Sequence, residues 1–179
     1  MEDFMNAITT LKAAVALAMA VAAQGVLARD GTVIFNGSIV DAACVVATGS
    51  TNQTVELGRV SVNTLTAIGA RSPGVSFSIK LTDCSVPTAR RASVTFNAPR
   101  DPLNAGLMAV TGGAVGVGIQ IYTEEGGQRV GVIPGNGSMA IPLRPGDSEL
   151  QFYAAYVATR AQVEPGAANA TAQFTVNYH

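Results

Sequence analysis

The chain has 179 residues, of which 48% are hydrophobic and only 13% are charged. This length and composition indicate one folded domain with a sizeable apolar core, and they exclude an intrinsically disordered chain. With 11 basic and 12 acidic residues, the chain has no basic excess to neutralise phosphates, which argues against nucleic acid as a partner.

Residues 1–28 are predicted to be a secretory signal peptide. Lys12 precedes an apolar run over residues 13–23, which is too short to span a bilayer and has the length of a signal h-region. Small residues permit cleavage after Ala23 or after Ala28. An N-terminal membrane anchor or an amphipathic core helix is the alternative for this segment.

Cleavage of the signal would change the charge balance. It removes Glu2, Asp3 and Lys12, which leaves ten acidic and ten basic residues and a formal charge of zero. A net charge near zero removes a barrier to self-association. The composition is therefore compatible with a protein that polymerises.

Residues 31–41 form the first segment in which apolar and polar residues alternate. Val33, Phe35, Gly37 and Ile39 lie on one face, and the residues between them lie on the other. As an extended strand this segment spans about 35 Å. It is either the ordinary first strand of a sandwich or a strand that inserts into another molecule, and the alternation alone leaves both interpretations open.

Cys44 and Cys84, the two cysteines of the chain, are predicted to form a disulfide. An even cysteine count behind an export signal is typical of a disulfide-stabilised domain, and a bond that closes this loop contributes about 4 kcal/mol on the chain-entropy model. The alternatives are a two-thiolate metal site and a catalytic thiol. The single histidine, His179, leaves both without partner residues, so no metal or other cofactor is predicted.

Later segments alternate in the same way and are separated by clusters rich in Pro, Gly, Asn and Asp. The alternating segments cover residues 75–82, 115–122, 150–158 and 174–178. Alternation of this length predicts half-buried strands, while residues 61–70 form either one helical turn or a loop. Strands at this spacing predict an all-β sandwich. No composition break divides residues 44–179, which indicates one domain.

Four motifs follow one another along the chain. They are GTVIFNGSIVDAAC (residues 31–44), QTVELGRV (53–60), VSFSIKLTDC (75–84) and a C-terminal pattern in which Gly166 is followed by alternating apolar residues and Tyr178. In this combination and order they resemble the type 1 fimbrial subunits of the chaperone–usher class. The resemblance covers nearly all of the chain beyond the signal.

The resemblance implies an immunoglobulin-like β-sandwich that lacks its last strand and has a groove beside its C-terminal strand. A periplasmic chaperone fills this groove first, and an outer-membrane usher then exchanges the chaperone for the N-terminal strand of the next subunit. Residues 29–43 would be the donor-strand extension, and residues 44–179 the pilin domain. The implied donor positions are Val33, Phe35, Gly37 and Ile39; the groove and chaperone-contact positions are Gly166, Phe174, Val176 and Tyr178; and the paired cysteines are Cys44 and Cys84.

The function implied is that of a structural subunit of an adhesive surface fimbria, exported through the periplasm to the outside of the cell. Its partners would be identical or related pilin subunits, the chaperone and the usher. A minor adaptor subunit of the same fibre and a self-contained secreted β-sandwich binding module are the alternatives. No enzymatic activity is predicted. His179 is terminal and expected to be mobile, so a nucleophile–base pair has no anchored partner, and Glu124 and Glu125 lie in a predicted turn.

Overall fold

The computed structural model describes residues 33–35, 43–85 and 90–179. The chain divides into two units, Met1–Ile39 and Val40–His179. Of the first unit the structure describes only residues 33–35, which form no helix or strand and whose side chains are exposed. The predicted donor positions Gly37 and Ile39 lie outside the described residues, as does the predicted signal peptide.

Nine strands and two short helical turns make up the described part of the second unit. The strands are β1 (Val45–Val46), β2 (Val75–Cys84), β3 (Arg91–Asn97), β4 (Met108–Ala109), β5 (Val117–Glu125), β6 (Gln128–Val132), β7 (Ile141–Pro142), β8 (Gly146–Ala158) and β9 (Gln173–Tyr178). Helix α1 covers Thr48–Thr51, and a 3-10 turn covers Val62–Thr64. In the part of the chain that the structure describes, no helix has the length and apolar character needed to cross a membrane.

The strands form two antiparallel sheets. The larger sheet has the order β1-β2-β8-β5-β4, and β6 also pairs with β5. The smaller sheet has the order β7-β3-β9. The last strand, β9, is therefore an edge strand of the smaller sheet.

The hydrophobic core lies between the two sheets. Ile79, Leu150 and Phe152 of the larger sheet and Val94 and Phe96 of the smaller sheet are buried and belong to one cluster. The ring of Phe96 packs edge-on against that of Phe152, with centroids 5.1 Å apart. Two antiparallel sheets that share one core in this way form the sandwich that the alternating segments predicted.

The four later alternating segments are confirmed as strands β2, β5, β8 and β9. Strand β5 starts at Val117, two residues later than predicted, and β8 extends back to Gly146. The turn predicted to contain Glu124 and Glu125 is shorter than expected. Both residues belong to β5, and because Glu125 pairs with Gln128 only two residues form the hairpin loop. The two loop glycines have φ values of 58° and 79°, which glycine adopts without steric cost.

The predicted disulfide between Cys44 and Cys84 is confirmed. It joins the residue before β1 to the last residue of β2. The pairing of β2 with β8 shifts register between Leu81 and Cys84, and Asp83 within this bulge has a φ of 53°. Without the bulge, Cys84 would lie on the face opposite to Leu81, because side chains alternate along a strand. The bulge therefore turns Cys84 toward the interior.

Candidate functional site

Strand β9 presents an open edge. On one side it pairs with β3 from Gln173 to Tyr178, and on the other side it has no strand partner among the described residues. Just beyond the ladder, His179 and Arg91 exchange two backbone hydrogen bonds of 2.8 and 3.1 Å. Hydrogen-bonded and non-hydrogen-bonded pairs alternate in an antiparallel ladder. The backbone N–H and C=O groups of Phe174, Val176 and Tyr178 therefore point away from β3, toward the open edge.

Residues 53–60 follow the opposite side of this opening. They belong to no strand, and within residues 43–85 and 90–179 none of their backbone N–H or C=O groups makes a backbone hydrogen bond. Val55, Leu57 and Val60 are half-buried. We call residues 53–60 the N-terminal wall and residues 168–178 the C-terminal wall.

A groove lies between the two walls. It consists of a larger cavity of about 770 Å³ and a smaller cavity of about 440 Å³. Five residues line both cavities, namely Gly58 and Arg59 of the N-terminal wall, Ala168 and Asn169 of the C-terminal wall, and Tyr156 of β8. The two cavities are therefore neighbouring sections of one groove that meet at Tyr156.

The floor of the larger cavity is formed by the hydrophobic core itself. Its lining includes Phe77 and Ile79 of β2, Phe96 of β3, and Ile119 and Ile121 of β5. These side chains come from both sheets, so the groove is a place where the sandwich is open. Apolar side chains entering the groove would be removed from water against this floor, which is favourable.

Two tyrosine hydroxyl groups connect the C-terminal wall to the rest of the domain. Tyr156 donates a hydrogen bond of 2.9 Å to the carbonyl oxygen of Ala168, and Tyr178 donates one of 3.0 Å to the carbonyl oxygen of Cys44. Burial raises the pKa of both tyrosines, and the Glu56 carboxylate raises the pKa of Tyr156 further. Both hydroxyls therefore remain protonated donors at neutral pH.

Of the four predicted groove positions, Phe174 and Gly166 line the cavities, whereas Val176 and Tyr178 line neither of them. Phe174 lines the larger cavity, and Val176 and Tyr178 are half-buried in the C-terminal wall. Gly166 lines the smaller cavity. A Cβ atom on Gly166 would approach the backbone of Gly113 to 2.5 Å, so the close contact between two backbone segments already requires glycine there.

The predicted donor positions within the described residues lie in the first unit. Val33 is 75% exposed and Phe35 is 90% exposed. Ile34 between them is 76% exposed, so all three apolar side chains of this stretch are open to solvent.

Sequence reasoning missed two parts of the groove. One part is the N-terminal wall, because the motif over residues 53–60 does not by itself indicate a structural role; the spacing of its apolar residues Val55 and Leu57 is the available signal. The other part is Tyr156, which the alternation over residues 150–158 places in a strand without any indication of a groove. Its place between the two cavities depends on residues distant in the chain, so no local pattern could have shown it.

The contact nearest to a catalytic arrangement is the pair of Ser93 and His179. Their Oγ and Nε2 atoms are 2.9 Å apart, and the backbone of His179 is bonded to Arg91, so the expectation that this histidine lacks an anchored partner is wrong. No Asp or Glu side chain in the described ranges forms a hydrogen bond or ion pair with His179. The described residues also contain no group of three or more His, Cys, Asp or Glu that could hold a metal ion.

Comparison with known proteins assigns the family. Residues 33–179 match the model of the fimbrial protein family. The chain is 40% identical over 152 residues to a probable major fimbrial subunit of Escherichia coli O157:H7, a match that covers 83% of this chain and 84% of that protein. It is 41% identical over 152 residues to the long polar fimbria protein A of Salmonella typhimurium strain LT2, with the same coverage.

A solved structure supports the same assignment. A chain from a chaperone–usher pilus, in a study of rod uncoiling, superposes with a TM-score of 0.69 at 27% identity. The match covers 84% of this chain and 96% of that one. The family match spans most of the chain, and its members are non-enzymatic structural subunits. The chain therefore belongs to the fimbrial protein family, as a major-subunit-like pilin with an immunoglobulin-like fold.

Proposed function

We propose that this structural fimbrial subunit polymerises by donor-strand exchange. In this reaction the N-terminal strand of one subunit enters the groove of the next subunit, between the N-terminal wall and the C-terminal wall. The observation that carries the proposal is the pair of facing walls above a floor of core side chains, each wall having backbone groups without a partner among the described residues.

Backbone pairing is the first contribution to binding. An inserted strand gives hydrogen-bond partners to Phe174, Val176 and Tyr178 on one side and to residues 53–60 on the other. This is β-strand addition, in which the main chain supplies affinity and alternate side chains supply specificity. It also covers an edge that would otherwise favour aggregation.

Burial of apolar side chains is the second contribution. Val33, Phe35 and Ile39 lie on one face of the donor segment, and burying them contributes about 5–9 kcal/mol before ordering costs. Gly37 on the same face suits the point where the Tyr156 ring occupies the floor between the two cavities.

The open groove is the reason for proposing two assembly partners, a chaperone and an usher. A subunit with an exposed core floor needs a temporary occupant before assembly, and we assign that role to a periplasmic chaperone that contacts the C-terminal wall. An outer-membrane usher then exchanges it for the donor strand. Residues 1–28 act as the export signal, residues 29–43 as the donor extension and residues 44–179 as the pilin domain, and the product is a fimbria at the cell surface.

Similarity to a protein described as a probable major fimbrial subunit supports a place in the shaft of the fibre over an adaptor role. A shaft subunit must both donate and accept a strand. This chain has an alternating N-terminal segment for the first task and a groove for the second.

The test compares two adjacent residues of the donor segment. Phe35→Glu would place a charge in the apolar groove, at a cost of several kcal/mol, whereas Ile34→Glu places the same charge on the outward face. Cells producing each variant with its assembly proteins are examined for fibres by electron microscopy. We expect no fibres from Phe35→Glu and normal fibres from Ile34→Glu. Equal fibre formation by both variants would show that the donor-strand proposal is wrong.

A further inference from the structure

The four tyrosines of the chain form two pairs that differ in the partners of their hydroxyl groups. Tyr122 and Tyr153 stack on each other with ring centroids 5.3 Å apart. Their hydroxyls have no hydrogen-bond partner in the described part of the chain. Tyr156 and Tyr178, by contrast, each donate to a backbone carbonyl oxygen.

Both of these hydrogen bonds join the C-terminal wall to the larger sheet. Tyr156 belongs to β8 of that sheet and bonds to Ala168 in the wall. Tyr178 belongs to the wall and bonds to Cys44, the residue directly before β1 of that sheet. The two attachment points are ten residues apart in the wall, which corresponds to about 33 Å of extended chain.

Closure of the empty groove would be energetically favourable. Its floor consists of apolar core side chains, and closing would remove them from water. The smaller sheet restrains β9 only along its β3 side. The two tyrosine bonds tie the C-terminal wall to the larger sheet at two points, one where the two cavities meet and one at the end of β9.

We propose that Tyr156 and Tyr178 are positioning residues for strand capture, whose hydroxyls keep the empty groove at the width that a donor strand requires. The inference rests on the proposed donor-strand function. Once a strand is inserted, its backbone and side chains hold the walls apart. The hydroxyls should then matter for capture and have little effect on the stability of the filled subunit.

The experiment uses the full chain with Tyr156→Phe, Tyr178→Phe and the double substitution. Tyr122→Phe and Tyr153→Phe are matched controls, since each removes one hydroxyl that makes no hydrogen bond to or from the C-terminal wall among the described residues. Oxidised protein is refolded by dilution into an excess of a labelled synthetic peptide of residues 31–41, and capture is followed by fluorescence anisotropy. The melting temperature of the peptide-filled subunit is measured separately.

We expect each single groove variant to capture the peptide about fivefold more slowly than the controls, the factor that corresponds to one hydrogen bond of about 1 kcal/mol. The double variant should be slower still. The filled forms of all variants should melt at nearly the same temperature.

Two results would overturn the inference. Capture by the groove variants at the rate of the controls would show that the hydroxyls do not position the wall. Slower capture with an equal loss of stability in the filled form would show an ordinary structural role. If the unsubstituted chain captures no peptide, the donor-strand proposal fails as well, which distinguishes that failure from the other two.

Discussion

Phe96 and Phe174 lie opposite each other in the β3–β9 ladder, with ring centroids 6.5 Å apart. Both line the larger cavity, yet Phe96 is 5% exposed within the core and Phe174 is half-buried beside it. The core therefore continues directly into the groove. A strand inserted beside β9 would complete the burial of Phe174 and extend the smaller sheet.

Gly37→Val is expected to weaken insertion of the donor strand. Gly37 shares a face with the apolar donor residues, and an added branched side chain would meet the floor near Tyr156. Overpacking of this kind costs about 1–3 kcal/mol, which is about 5- to 150-fold in affinity. Ser38→Val adds a similar side chain to the outward face and is the control. Competition between each variant peptide of residues 31–41 and the unsubstituted peptide measures the difference, and equal affinities for the two variants would contradict this placement of Gly37.

Gly166→Ala is expected to destabilise the domain by about 1–3 kcal/mol. The new methyl group would overlap the backbone of Gly113 and Ala114. Gly49→Ala is the matched control, because a Cβ at Gly49 meets nothing within 4 Å and its φ is not positive. Urea unfolding of both variants gives the comparison. If Gly166→Ala left the stability unchanged and weakened only the binding of the chaperone, Gly166 would serve only as a contact residue.

Loss of the disulfide is expected to lower the free energy of unfolding by about 4 kcal/mol. Cys44→Ser and Cys84→Ser should have similar effects, because each removes the same bond. Both should also reduce the amount of subunit in the periplasm. Reduced unsubstituted protein is the control and should match the variants. Full accumulation and unchanged thermal stability of either variant would count against a structural role for this bond.

Stability should decrease at alkaline pH through Tyr156 and Tyr178. Burial raises the pKa of both, with Glu56 adding to the effect at Tyr156, so the unfolded chain releases these protons at lower pH than the folded chain. This contribution is complete below the unfolded tyrosine pKa of about 10 and is lost as the pH rises through the folded values. The urea midpoint should therefore fall from about pH 9 to 11. The decrease should be smaller in the double Tyr→Phe variant, and identical profiles would contradict the assignment.

Much of the sandwich could be predicted from the alternation of apolar and polar residues along the strands. Phe77, Ile79 and Leu81 carry a clear period-two signal in β2, and β8 and β9 carry similar ones. Strand β3 was missed although Val94 and Phe96 face the core. Its third inward residue is the small Ala92, and the outward Ser93 is also buried, so the contrast between its two faces is weak.

The groove could not be derived from local patterns. Its walls, residues 53–60 and 168–178, are more than a hundred residues apart in the chain, and the bond between Tyr178 and Cys44 spans 134 residues. A missing strand is a property of pairing between distant segments. Only the resemblance of the motifs to a known family pointed to it, and that resemblance named the C-terminal wall without the facing N-terminal wall.

The most direct test of the central claim is a cryo-electron microscopy map of the assembled fibre that identifies the strand beside β9. We expect residues 33–39 of the neighbouring subunit to lie between the N-terminal wall and the C-terminal wall, with Phe35 buried against Phe77 and Phe96. A groove filled by the subunit's own N-terminal strand, or one left empty while Val33 and Phe35 stay exposed, would contradict polymerisation by donor-strand exchange.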